Sequence, residues 1–272
     1  MKPLKKPNLY LAKRFYMSYY LVIVALLYLP IAVLFLFSIN ANTSLSFPLE
    51  GFTLDWYRKL FGSFPVLNAA KNSLLVALGS STAATTLGTM LALVSTRYQF
   101  PGKTLLIGLA TFPLIVPYIV LAVALLLLFS FFDIDRSLWT IGLSHTVVSL
   151  PYTLLIIMAR LQGFDSSLEE AAMDLGATYW KALFKIILPI IAPSLISAWI
   201  TAFTVSFDEF ALALFLAGTE PTFPVYLFSQ LRFANRLPIL IAFTILLMIA
   251  SLTLIFMAQK LRGSPLEKIP NE

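Results

Sequence analysis

Six stretches of the chain run without a single Asp, Glu, Lys or Arg: Tyr19 to Ile39, Asn72 to Ser95, Thr104 to Phe132, Ser137 to Ala159, Ile186 to Phe207 and Leu237 to Gln259. About 20 such residues carry an α-helix across the hydrocarbon core of a bilayer. None of the stretches alternates apolar and polar positions over about 10 residues, as the strands of a membrane barrel do. The pattern predicts an all-α integral membrane protein with six transmembrane helices. They form one membrane domain over residues 19–259, between a basic tail (1–18) and a second tail (260–272).

The polar breaks between the runs carry their own patterns. Residues 40–68 hold "GFTLDWYRKLF", a short amphipathic segment that Thr53 is placed to cap, with Trp56 and Tyr57 suited to the headgroup layer. The second run contains "GSSTAATTLGT", small residues that let helix backbones approach closely, which predicts an interior position. Pro113 and Pro117 in the third run and Pro151 in the fourth are expected to bend or break their helices. No internal repeat is evident, which weighs against transporters built from inverted halves.

Composition agrees with a lipid environment. Of 272 residues, 59% are hydrophobic and 12% charged, against roughly 25% charged in soluble domains. The net charge of +6 reads as an orientation signal rather than a nucleic-acid surface. With the N-terminus inside, 13 Lys and Arg fall on the inner side and 6 on the outer, as the positive-inside rule expects. Both termini are therefore expected in the cytoplasm. The first apolar run is too long for a signal-peptide core and no A-x-A site follows, so it is read as a retained helix. The chain has no cysteine, which excludes disulfides and thiolate metal sites.

Between the fourth and fifth runs, residues 163–185 break the apolar pattern with "EEAAMDLGATYWKALFKIILP" spanning Glu169 to Pro189. Ser166 and Glu169 have capping-box spacing, and Asp165, Glu169 and Glu170 place negative charge at a helix N-terminus. Leu168, Ala171, Ala172 and Leu175 fall at i, i+3, i+4, i+7, one apolar stripe. Gly176 is placed as a left-handed cap, and a second helix starts near Thr178 and enters the membrane. An interfacial helix floating on lipid usually carries basic residues and bulky anchors. This one is acidic and Ala-rich, which favours seating in a protein groove.

The stretch resembles the EAA loop of ABC importer permeases in Glu170, Ala171, Ala172, Gly176, Ile186, Leu188 and Pro189. Together with "GFTLDWYRKLF", "LQGFDSSLEEAAMDLGA" and "SFDEFALALFLAG", it is similar to the second permease subunit of spermidine/putrescine-type importers. The resemblance implies a MetI-like fold in a bacterial inner membrane and a non-catalytic permease subunit importing a small cation, a polyamine first. Iron(III), an opine or a phosphonate are the alternatives within the class. It implies an ATPase-coupling role for Leu168, Glu169, Glu170, Ala171, Ala172, Asp174, Leu175 and Gly176. It also implies two cytoplasmic ATPase subunits, a second homologous permease (a heterodimer in preference to a homodimer) and an extracytoplasmic solute-binding protein. ATP and Mg would be bound by the partner ATPase and no cofactor by this chain. The sequence agrees on one point: Gly102-Lys103-Thr104 is the only P-loop fragment, and the glycine required upstream is Arg97.

Asp208 and Glu209 lie within apolar sequence, flanked by Phe207 and Phe210. Acids so placed are costly unless they meet water, a cation or a partner. Three readings stand: a substrate-pathway site for a cation with ring contact from Phe207 and Phe210; Asp208 capping a following helix while Glu209 pairs with Arg232 or Arg236; or a latch against a second permease. A proton-coupled secondary transporter using either acid is the alternative from another class. His145, the single histidine, has no partners in sequence for a metal site or a triad and is expected to make an interhelical hydrogen bond. No H-E-x-x-H or G-x-S-x-G motif is present.

Overall fold

Long apolar runs in hydrocarbon leave the backbone no partner but itself, so they fold as helices. The computed structural model describes residues 9–43, 45–165 and 167–262 and shows this directly. α1 (Leu9–Ser38) is followed by the short α2 (Asp55–Phe61) and the long α3 (Phe64–Arg97). Then come α4 (Lys103–Thr111), α5 (Tyr118–Phe131) and α6 (Leu138–Gln162). The loop helices α7 (Ser167–Asp174) and α8 (Tyr179–Ala182) lead into α9 (Leu188–Asp208). α10 (Ala211–Leu216), α11 (Phe223–Gln230) and α12 (Leu237–Arg262) complete the chain.

Among the described residues, five helices are long and apolar enough to cross a membrane: Tyr16–Ser38, Phe64–Arg97, Leu138–Gln162, Tyr179–Asp208 and Ala234–Thr253. The expected third helix is not one helix. Lys103–Leu114 and Tyr118–Phe131 meet at 109°, so the third run is broken into two helices. Pro117 disfavours helical geometry at Val116, and neither Pro113 nor Pro117 supplies a backbone N–H. The helix therefore ends in a 3-10 turn at Phe112–Leu114 and restarts after Pro117.

The described residues form two compact units. One comprises the chain up to Ser63 with Gln230–Met248. Within it Phe37, Ile241 and Ile245 pack together, with Val33, Leu49 and Met248 around them. Trp56 is buried, and its indole N–H donates to the Asn40 carbonyl at 2.7 Å. That carbonyl lies just past the end of α1, where backbone acceptors lack helical partners. Tyr57 likewise donates to Ser38 Oγ at 2.9 Å.

The other unit runs from Phe64 to Ser229 and includes the end of α12 from Ile249. Its centre is the packing of α3, α6 and α9. The small residues of α3 do what small residues allow: Ala77, Ala84, Gly88 and Ala92 are buried. A Cβ on Gly88 would lie 2.2 Å from Thr153 Oγ1 on α6. Thr153 donates to the Ala84 carbonyl at 2.9 Å, locking the close approach. Ala92, Leu154, Ile157, Leu183, Ile187 and Ile191 form a buried cluster at the loop end of these helices. A π turn, Leu183–Ile187, joins α8 to α9. Pro189 lacks an N–H and its ring crowds the carbonyl four residues back, so the wider turn accommodates it.

Candidate functional site

Two places in the second unit carry chemistry. The first is the loop between α6 and α9. The Asp165 carboxylate accepts the Ser167 N–H at 3.0 Å, and these bonds from Ser167 hold its carboxyl below the ordinary value. Ser166, expected to open a capping box, lies outside the described residues. Gly176 has φ +85°, the left-handed region. Around it the Ala177 N–H reaches the Ala172 carbonyl at 3.0 Å, the pattern of a left-handed helix stop. Thr178 then caps the next helix, accepting from the Lys181 N–H at 3.4 Å.

The stripe on α7 faces outward. Leu168, Ala171 and Leu175 are exposed, Leu175 at 90%, as are Glu170 and Asp174, while Ala172 is half-buried. Glu169, in the set the resemblance implies for coupling, is turned inward in this chain. It is buried and ion-paired with Arg97, the last residue of α3. Arg97 also lies over the Phe164 ring, 5.3 Å from its centroid. Arg97, read from sequence only as an inner-side charge, thus ties the end of α3 to α7.

The second place is the far end of α9, where the four candidate pathway residues divide into two pairs. Glu209 leaves helical geometry (φ −71°, ψ 122°). Its carboxylate accepts the N–H groups of Ala211 and Leu212, each at 2.9 Å, and of Ala213 at 3.2 Å. It caps α10, the role expected of Asp208, because it is one residue nearer those donors. Within this unit His145 Nε2 lies 3.3 Å from the same carboxylate. Arg236 donates to Gln230, and Arg232 lies over the Phe233 ring. His145 Nδ1 lies 2.8 Å from Ser206 Oγ, which accepts from Ser80 Oγ at 2.8 Å. His145 thus has Ser206 against one ring nitrogen and the Glu209 carboxylate near the other. Ser80, His145, Ser206 and Glu209 are all buried, so this chain fastens α3, α6, α9 and the cap of α10. Phe210 packs on Phe228, with centroids 5.1 Å apart.

Asp208 and Phe207 remain on the open side. Asp208 is exposed. Phe207 stacks on Phe203 at 5.7 Å, and Phe203 on Trp199 at 5.4 Å. Ser206, Ser80, Trp199 and Phe203 were not singled out from sequence. The Trp199, Phe203, Phe207 spacing of four is visible there, but within an apolar run it looks like ordinary packing. Among the described residues, no group of three or more His, Cys, Asp or Glu side chains is placed to hold a metal.

Helices of membrane-crossing length, a loop turned by a glycine elbow and a third run broken into two helices are the architecture of a multi-pass helical membrane protein. The chain belongs to the family of binding-protein-dependent transport system inner membrane components, whose model matches residues 84–262. It is 35% identical over 244 residues to the spermidine/putrescine transport system permease protein PotC of Haemophilus influenzae, covering 89% of this chain and 94% of that protein. It is 37% identical over 214 residues to the putrescine transport system permease protein PotI of Escherichia coli K12, covering 76% of each. The fold is that of a chain of a bacterial ABC transporter involved in import of the acidic polysaccharide alginate. There the TM-score is 0.74 at 14% identity, over 95% of this chain and 99% of that one. A chain of the MetNI methionine ABC transporter matches with TM-score 0.58 at 14% identity, over 78% of this chain and 99% of that one.

Proposed function

We propose that this chain is one half of the pore of an ATP-driven importer for a polyamine, spermidine or putrescine, in a bacterial inner membrane with both termini cytoplasmic. The exposed stripe of α7 is the observation that carries the coupling role. An eight-residue helix whose apolar residues face outward, held by an ion pair on one side and a glycine elbow on the other, is built to seat in a protein cleft. The cleft belongs to a cytoplasmic ATPase, which binds the ATP and Mg; two such subunits serve a pore made with a second, homologous but different permease. A solute-binding protein delivers substrate from the other side. Closure of the ATPases draws the two α7 helices together, and α9, continuous with the loop through α8 and the π turn, carries the movement into the membrane.

The polyamine assignment is supported by the names of the relatives and by the exposed carboxylate of Asp208, which suits a cation over an anionic phosphonate. Glu209, held by three N–H groups and His145, is poorly placed to shuttle protons, which disfavours a proton-coupled carrier. The coupling role is tested in this cysteine-free chain by Ala171→Cys, co-expressed with its ATPase carrying single cysteines along the cleft. We expect an oxidant-dependent cross-link that alters with ATP. Absence of any cross-link at Ala171, Leu168 and Leu175 alike, with the complex intact, would contradict α7 docking.

A further inference from the structure

Asp208 stands at the end of an aromatic face that runs along α9. Trp199, Phe203 and Phe207 recur every four residues, stacked with interplanar angles of 21° and 23°, and all three are only half-buried. The neighbouring bank is α3, which runs antiparallel: Ser80 meets Ser206, and Thr82 meets Trp199, whose indole N–H it accepts at 3.1 Å. Along that bank Thr82, Thr86 and Thr89 each donate their hydroxyl to the carbonyl four residues back, at 2.7, 2.8 and 2.6 Å. With their protons so used, their oxygens offer lone pairs. Toward the coupling loop the seam opens into a cavity of about 580 Å³ lined by Thr85, Thr86, Thr89, Trp180 and Phe184. There Trp180 and Phe184 stack again, 6.2 Å apart.

A carboxylate beside such a face is costly unless it meets water or a cation. Rings and acceptor oxygens are the groups that hold an ammonium as it loses water. Building on the polyamine reading above, we infer that this seam is the track along which a linear, multiply protonated aliphatic amine passes. Trp199, Phe203 and Phe207 form its stretch next to Asp208, which attracts the cation at that end, and Thr82, Thr86 and Thr89 continue it from Trp199 toward the cavity at the coupling loop. Successive ring centroids lie 5.4 and 5.7 Å apart. Ammonium groups separated by three or four methylenes are roughly 5–6 Å apart at bond lengths near 1.5 Å. One ammonium therefore reaches the next ring while its neighbour still rests on the last. Glu209 and Phe210, turned into the protein, take no part.

The test is the concentration dependence of initial spermidine and putrescine uptake by the full transporter in proteoliposomes. Phe203→Leu and Phe207→Leu keep apolar bulk and remove the ring. Each is expected to raise KM by roughly 2- to 30-fold. Asp208→Asn should raise it by roughly 10- to 150-fold. Phe203→Tyr restores a ring and should restore KM, whereas Phe131→Leu, an exposed ring on α5, should change nothing. Thr86→Val, which removes only the acceptor, gives an independent arm and should also raise KM. Wild-type uptake by Phe203→Leu, Phe207→Leu and Thr86→Val overturns the track and leaves the polyamine function standing. Equal loss in Phe203→Leu and Phe203→Tyr with the complex assembled assigns the ring to packing and overturns it too. A wild-type complex that takes up neither amine overturns both the track and the function on which it rests.

Discussion

Replacing Arg97 by Gln leaves the Glu169 carboxylate on α7 buried without its cation. Removing one partner of a buried ion pair costs about 3–5 kcal/mol. Here the side chains keep 20% and 7% of their exposure, so water relieves part of the loss and about 2–3 kcal/mol is expected. At 1.4 kcal/mol per factor of ten, the ratio of seated to unseated α7 falls by roughly 30- to 150-fold. Hydrogen–deuterium exchange across residues 164–178 in the assembled transporter reads that population directly. Faster exchange is expected there in Arg97→Gln, with α6 unchanged. The double change Arg97→Gln with Glu169→Gln removes both charges together and should cost clearly less than the two singles summed. Single effects that add within about 0.5 kcal/mol would show that the pair does not hold the loop.

Gly176→Val has open space for its side chain but must adopt φ +85°, costing about 1–2 kcal/mol; transport should fall while the membrane helices remain intact by circular dichroism. Gly88→Ala puts a Cβ 2.2 Å from Thr153 Oγ1 and 3.0 Å from the Leu154 nitrogen; overpacking of about 1–3 kcal/mol should lower the thermal transition of the purified complex. Thr153→Ala added to it should recover only part of the loss, since the Leu154 backbone cannot withdraw. Glu209→Ala strands three N–H donors of α10 and should destabilise the complex more than Asp208→Ala, measured by the same thermal transition.

What could be read in the sequence follows from which interactions are local. The spans were legible because hydrocarbon demands a continuous apolar run, and the Gly176 elbow because a glycine directly follows an i, i+3, i+4, i+7 stripe. The sharp break of the third run was only half legible. Pro113 and Pro117 announce a bend, but the 109° angle is set by what packs around it. The Arg97–Glu169 pair joins residues that adjoin only once α3, α6 and α7 are in place, so nothing near Arg97 marks it. The acids at the end of α9 show the finest limit. Sequence flagged Asp208 and Glu209 together, yet one residue of helical rotation sends Glu209 into the α10 cap and leaves Asp208 open. The Trp56 bond was hidden for a related reason: its acceptor, the Asn40 carbonyl, lies 16 residues away in sequence.

The central claim is that ATP, acting through the α7 loop on a partner ATPase, drives a polyamine through this chain and its partner permease. Its most direct test is accumulation of labelled spermidine by proteoliposomes holding the complete transporter and its loaded binding protein, with ATP supplied on the side of the coupling loop and no ion gradient. We predict uptake against the spermidine gradient that stops when ATP is replaced by a non-hydrolysable analogue and is indifferent to a protonophore. Uptake that proceeds without ATP and collapses with the protonophore would contradict the account.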